Sequence, residues 1–220
     1  MVRMPTFCID RYEAHLVRVD TSEVHSPYQR LGRGRVYRAV SEPGVVPQAY
    51  IHREDARAAC EQANKRLCRA REWAEACHGT LPDRCNVGKP HLMTILFGNR
   101  VKFTYDDHYN SPRLDQVPGF LAKTGEYREC VSEHDAFDMV GNLHEWVADD
   151  VSSRLGREIP LGFDQSHLGT QGNGVFMGGF FSSHGEHGQG CQYVTTHHAP
   201  DYHDYSTGFR CCSDLPVGAK

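Results

Sequence analysis

The chain has 220 residues, a formal net charge of −4, 39% apolar and 24% charged residues, enough to bury a core and fold as one domain over residues 1–220. No basic run stands out and the sequence pI is near 6.4, which speaks against nucleic acid as a partner. No apolar stretch reaches the roughly 18 residues that a membrane-spanning helix needs.

The first element in chain order is FCIDRYEA, Phe7 to Ala14. It reads as a strand with Phe7 and Ile9 on one side and Cys8 and Asp10 on the other. Val24 to Val46 carries Pro27, Gly32, Gly34, Pro43 and Gly44 and reads mostly as loop. Arg53 to Asn64 is the clearest helix, because Ala56, Ala59, Cys60 and Ala63 share one face of a 3.6-residue period. Glu54 and Asp55 sit in its first turn, where the helix dipole favours negative charge. A short extended link, Lys65 to Cys68, leads to a second helix over Arg71–Cys77, with Trp73, Ala76 and Cys77 on one face and Gly79 ending it.

Pro82 to Gln116 is polar and interrupted by Gly88, Pro90, Gly98 and Pro112, and reads as an ordered loop. Leu92, Ile95, Leu96, Phe97, Phe103 and Tyr105 are its residues that need burial. Three further short segments, Ala136 to Val147, Gly174 to Phe181 and Gly208 to Cys212, lack long periodicity. No internal repeat is present.

The nine cysteines include no C-x-x-C pair and none has His at zinc-finger spacing. Cysteines scattered through a Gly-rich chain point to disulfides and an oxidising compartment, with one thiol left over. Met1 to Phe7 lacks an apolar signal core. The expected location is therefore secreted or periplasmic with a leader absent from this chain, or alternatively cytoplasmic.

Four motifs in order carry a family resemblance: FCIDRYEA; ACEQANKRLCRAREWAEAC, Ala59 to Cys77; FDMVGNLHEWVAD, Phe137 to Asp149; and MGGFF, Met177 to Phe181, closing at GFRC, Gly208 to Cys211. In this the chain resembles the formylglycine-generating-enzyme, or sulfatase-modifying-factor, family. The resemblance implies an α+β fold related to C-type lectins, with few short helices and short strands. It implies calcium held by Asp138 and Glu145 through their side chains and by Gly141 and Leu143 through their carbonyls, oxygen donors that suit a hard ion. A second calcium would use Asn86. It also implies disulfides Cys60–Cys211 and Cys77–Cys191, with Cys191 displaced from the family position. Cys212 is left to reach Cys8, Cys68, Cys85 or Cys130. Arg210 of GFRC reads physically as a buried fork holding carbonyls or a carboxylate.

One departure decides the expected chemistry. Where the copper enzyme of the family reads G-G-S-x-x-C-x-x-x-x-C, the run here is Gly178 to Gly188, with Phe180 at the serine position, Ser183 at the first cysteine and Gly188 at the second. Soft Cu(I) needs thiolates, so formylglycine synthesis by the copper mechanism is not expected. Between Phe181 and Gly208 the chain holds His184, His187, His197, His198 and His203. Converging imidazoles could bind Fe, Cu or Zn, with Ser183, His184 and His187 as candidate catalytic residues. Two functions follow: a metal-dependent oxidoreductase with a His-based centre, or a non-catalytic module binding a small-molecule, peptide or protein ligand on a lectin-like scaffold.

Overall fold

Short apolar runs separated by glycine and proline leave room only for short elements. A computed structural model describes residues 1–152, 155, 168–183 and 188–215. In chain order it contains β1 (Val2–Arg3), β2 (Phe7–Ile9), β3 (His15–Arg18), β4 (Tyr37–Val40), α1 (Arg53–Gln62), β5 (Arg66–Leu67), α2 (Ala70–Cys77), α3 (Leu92–Phe97), β6 (His144–Asp150), β7 (Gly174–Met177), β8 (Val194–Thr195), β9 (Thr207–Phe209) and β10 (Cys211–Asp214). The mixed helix and sheet class, with few and short elements, is the one expected.

The strands form three sheets. One runs β1-β2-β10-β5, a second pairs β3 with β4, and the third runs β8-β7-β6-β9. In the third sheet β6 is antiparallel to β7 and parallel to β9, with Glu145 opposite Met177 on one side and Gly208 on the other. The first and last motifs of the sequence meet in the first sheet, where Cys212 lies opposite Ile9.

Both expected helices form. His52 caps α1 by accepting the Asp55 N–H at 3.2 Å, and Ala56, Ala59 and Cys60 are its buried face. In α2 Glu72 accepts the Arg69 N–H at 2.9 Å, and Trp73, Ala76 and Cys77 are buried. Other expectations need correcting. The first strand stops at Ile9, and Asp10 is buried. It accepts from Lys65 Nζ at 2.6 Å and from the Cys211 N–H at 3.2 Å. The stretch read as loop before residue 46 contains β4, whose alternation of buried Tyr37 and Ala39 with exposed Arg38 spans only four residues. The stretch read as loop after residue 82 contains α3, whose Leu92 and Met93 are buried and whose Leu96 and Phe97 pack partly buried against the same cluster, while Ile95 is 54% exposed.

Four disulfides lace these elements together. Cys60–Cys211 and Cys77–Cys191 are the pairs the resemblance implied. Cys212 takes Cys68, Cys85 takes Cys130, and Cys8 is the free thiol. Successive side chains of a strand point to opposite faces. Cys211 therefore packs in the cluster around Trp146 and Phe209, and Cys212 in the cluster around Trp73 and Met139. Adjacent cysteines thus anchor α1 and the segment before α2 on opposite sides of one strand. Among the described residues, no helix is long and apolar enough to cross a membrane.

Candidate functional site

The DMVGNLHEW segment turns sharply before it becomes β6. Asp138, Gly141 and Asn142 all have positive φ, at 56°, 76° and 57°. Gly141 is required sterically as well, since a Cβ there would lie 2.2 Å from the Asn86 carbonyl oxygen. The turn buries Asn142 as a hub. Its side-chain oxygen accepts from Asn86 Nδ2 and from the Ala122 N–H, both at 2.9 Å, and its amide donates to Glu13 at 2.6 Å. Glu13 also accepts the Leu143 N–H at 3.1 Å.

β6 then alternates across the sheet. Trp146 donates its indole N–H to the Ile51 carbonyl at 3.0 Å. Glu145 faces the other way and accepts from Trp73 Nε1 at 2.8 Å and from Arg210 through both oxygens at 2.6 Å. Arg210 is fully buried and also donates to the carbonyls of Asp10, Arg11 and Phe137. The fork therefore holds carbonyls and a carboxylate at once.

This cluster is unbalanced in charge. Glu13, Asp138 and Glu145 act electrostatically on one guanidinium, that of Arg210. Burial, and then the charges of Asp138 and Glu145, hold the Glu13 carboxyl well above its ordinary range. Burial pushes Asp138 up to about 7, although it accepts the Gly125 N–H at 2.7 Å. Of the four residues read as a calcium set, Asp138 keeps an oxygen not engaged by Gly125, whereas Glu145 is committed to Arg210 and Trp73. Asn86 Oδ1 is a buried oxygen with no hydrogen-bond partner among the described residues.

A cavity of about 220 Å³ opens on the other side of the same turn. One wall is the His144 ring, which packs against Phe176, Phe180 and Tyr193 with centroids 4.7, 4.9 and 5.3 Å away. His198 stacks on Tyr202 at 3.8 Å and on Phe176 at 5.5 Å. Below them Asp204 accepts from the Tyr202 hydroxyl at 2.6 Å and from the Ser206 N–H and hydroxyl. Burial raises the Asp204 carboxyl above its ordinary range. Ser183 Oγ and Thr195 Oγ1 line the cavity, buried and without a hydrogen-bond partner among the described residues.

Of the histidines read as one metal set, His198 and His203 are separated. His184 and His187 lie outside the described residues. His197 is exposed. His198 lines the aromatic cavity, while His203 lines a neighbouring one and bonds Asn110 Oδ1 at 2.6 Å. Among the described residues, no three His, Cys, Asp or Glu side chains are grouped to hold a metal ion. The second of the two copper positions is also closed to a thiolate. Phe180 and Ser183 exchange backbone hydrogen bonds in a tight turn. At Gly188, φ is +107° and a Cβ would lie 2.3 Å from the Gln192 carbonyl oxygen, so this backbone has no space for a cysteine. The free thiol, Cys8, belongs to β2 and does not line the cavity.

Glu13, His144, Phe176 and Thr195 were not singled out in the sequence. The one available signal was the place of Glu13 and His144 within two of the four motifs, FCIDRYEA and FDMVGNLHEWVAD.

The family model of the sulfatase-modifying factor enzyme 1-like domain matches residues 4–215. No protein of curated function matches the chain in sequence. Among solved structures, PvdO from Pseudomonas aeruginosa is similar with a TM-score of 0.50 and 15% identity, covering 95% of this chain and 80% of that one. The major tropism determinant I1 variant is similar with a TM-score of 0.51 and 12% identity, and this chain spans 50% of its length while 95% of this chain is covered. At such identities the likeness is one of fold. With four ordered motifs and a matching model over nearly its whole length, the chain belongs to the sulfatase-modifying factor enzyme 1-like domain family.

Proposed function

We propose that this chain is a ligand-binding member of its family, and that the aromatic cavity beside His144 is its binding site. The observation that carries the reading is the pair of hydroxyls, Ser183 Oγ and Thr195 Oγ1, buried without partners among the described residues in a cavity walled by aromatic rings. A buried hydroxyl without a partner costs free energy, and a ligand bonding to both would recover it. Aromatic walls favour a flat or ring-bearing group. The volume of about 220 Å³ suits a single ring with polar substituents. Oxidation at a histidine metal centre has less support, because His198 and His203 face different cavities.

Ligand-observed NMR with a panel of monocyclic polar compounds tests the reading. Binding to the wild type should be lost in Phe180→Ala and weakened in Thr195→Val. Binding unchanged in both variants would sink it. Stoichiometric uptake of Fe, Cu or Zn, lost on His198→Ala, would restore the oxidoreductase reading instead.

Calcium enters this reading as a structural ion. Asp138 would hold it with the carbonyls of Gly141 and Leu143, and the support is the surplus of buried carboxylates over guanidinium around Arg210. Glu145 would neighbour the ion while remaining bonded to Arg210. Asn86 Oδ1 is the oxygen a second ion would use. When bound, calcium supplies positive charge that offsets the unpaired acids. Calcium is expected to raise the melting temperature relative to EGTA, and Asp138→Ala to abolish the difference; an equal rise in that variant would move the ion elsewhere. A secreted or periplasmic location is proposed with it, since four disulfides need an oxidising compartment.

A further inference from the structure

The loop before β4 reads RLGRGR and places Arg30, Arg33 and Arg35 within six consecutive positions. All three are exposed, and none has an ion-pair partner among the described residues. They line a cavity of about 280 Å³ together with Tyr50 and His52. Arg30 and His52 also line the next cavity, of about 420 Å³, whose other wall is Tyr105, Tyr202 and His203. Tyr202 in turn borders the aromatic cavity. The three spaces thus run in series, from an aromatic pocket to a groove of arginines.

The groove is electropositive although the whole chain carries −4. Its carboxylates are Asp55 and Asp201. Asp55 is already engaged by His52 at 3.1 Å. His203 reports the local field: burial and then the positive charges of Arg30 and His52 bring it down to about 4, against a weaker opposing pull from Asp201. Guanidinium groups offer paired donors that match the oxygens of carboxylate or phosphate. Since Arg30 is common to both cavities, the groove presents cations in succession and not at a single point.

We propose that this groove binds the anionic oxygen groups, carboxylate or phosphate, of a small ligand carrying at least two of them, with Arg30 between the two cavities and Arg33 and Arg35 at the far end. Such a ligand would place its ring-bearing end in the aromatic pocket, and only that part of the inference rests on the pocket reading. Net negative charge elsewhere on the chain disfavours a long polyanion, which would be repelled beyond the groove.

Isothermal titration calorimetry at about 0.15 M salt, where weak surface attraction is screened, separates the possibilities. The probes are inorganic pyrophosphate, for phosphate groups, and citrate, for carboxylates. Saturable binding of at least one is expected, and which one binds identifies the source of the anion. Arg30→Ala and the double variant Arg33→Ala/Arg35→Ala should each weaken it by about tenfold or more, because each removes a charge-assisted donor. These residues are exposed, so melting temperatures should not move. Phe180→Ala should leave anion binding intact while abolishing binding of the monocyclic compounds, so the groove and the pocket fail independently. Absence of saturable binding by both anions, or wild-type affinity in the arginine variants, would overturn the inference.

Discussion

Arg210→Met is the most informative perturbation of the buried acid cluster. The wild-type guanidinium makes two bonds of 2.6 Å to Glu145 and donates to the carbonyls of Asp10, Arg11 and Phe137. Removing one partner of a buried ion pair costs about 3 to 5 kcal/mol. Losing the carbonyl bonds adds about 1 kcal/mol for each well-formed one. The expected loss is therefore about 5 kcal/mol or more, comparable to the whole stability of many domains, about 5 to 15 kcal/mol. Glu145→Gln is expected to cost less, about 1 to 3 kcal/mol, because Glu13 and Asp138 still face the remaining cation. Combining the two changes should recover part of the Arg210→Met loss, since the uncompensated Glu145 charge is gone. The assay is urea unfolding at pH 7 with disulfides intact and EGTA present. If Arg210→Met proved no more harmful than Glu145→Gln, or if the double variant lost the sum of both, a surplus of buried negative charge could not be the organising fact of this site.

The same surplus sets a pH dependence. Asp138 and Glu13 are raised in the folded state, so the native protein binds more protons than the unfolded chain above the ordinary carboxylate range, in the case of Asp138 up to about pH 7. Their contribution is present at low pH and is lost as pH rises through that window. In EGTA, the stability of the wild type relative to Asp138→Asn should fall from pH 5 to pH 7.5, since the lowered histidines act equally on both proteins and cancel in the difference; a difference that rose over that range would contradict it. Thiol titration of the denatured, unreduced protein should find one thiol per chain, Cys8, out of nine cysteines, and none in Cys8→Ser. Nine thiols would remove the oxidising-compartment argument. Reduction should lower the melting temperature strongly, because Cys60–Cys211 and Cys68–Cys212 close separations of 151 and 144 residues, each bond contributing about 2 to 5 kcal/mol. Gly141→Ala should destabilise by about 2 kcal/mol or more through its positive φ and the contact with Asn86; a neutral effect in thermal unfolding would mean that the turn can relax.

Local pattern carried much of this architecture. The period of Ala56, Ala59 and Cys60 was enough to locate α1, and the alternation of Phe7, Cys8 and Ile9 to locate β2, because each repeats within one element. Ordered motifs were enough for the family and for two of the four disulfides. α3 and β4 escaped because six and four residues are too short for a period to declare itself. The choice of Cys68 for Cys212 also needed the sheet, since only the opposite faces of β10 separate two adjacent cysteines. Charge balance and cavity shape were decided by the tertiary structure alone. Glu145 meets Arg210 across 65 positions and Glu13 meets Asn142 across 129, and the pocket draws its walls from residues as far apart as His144 and Tyr205. Residue types fix which charges and rings exist, but their energies depend on separation and burial, and those quantities come into being only when distant segments pack together.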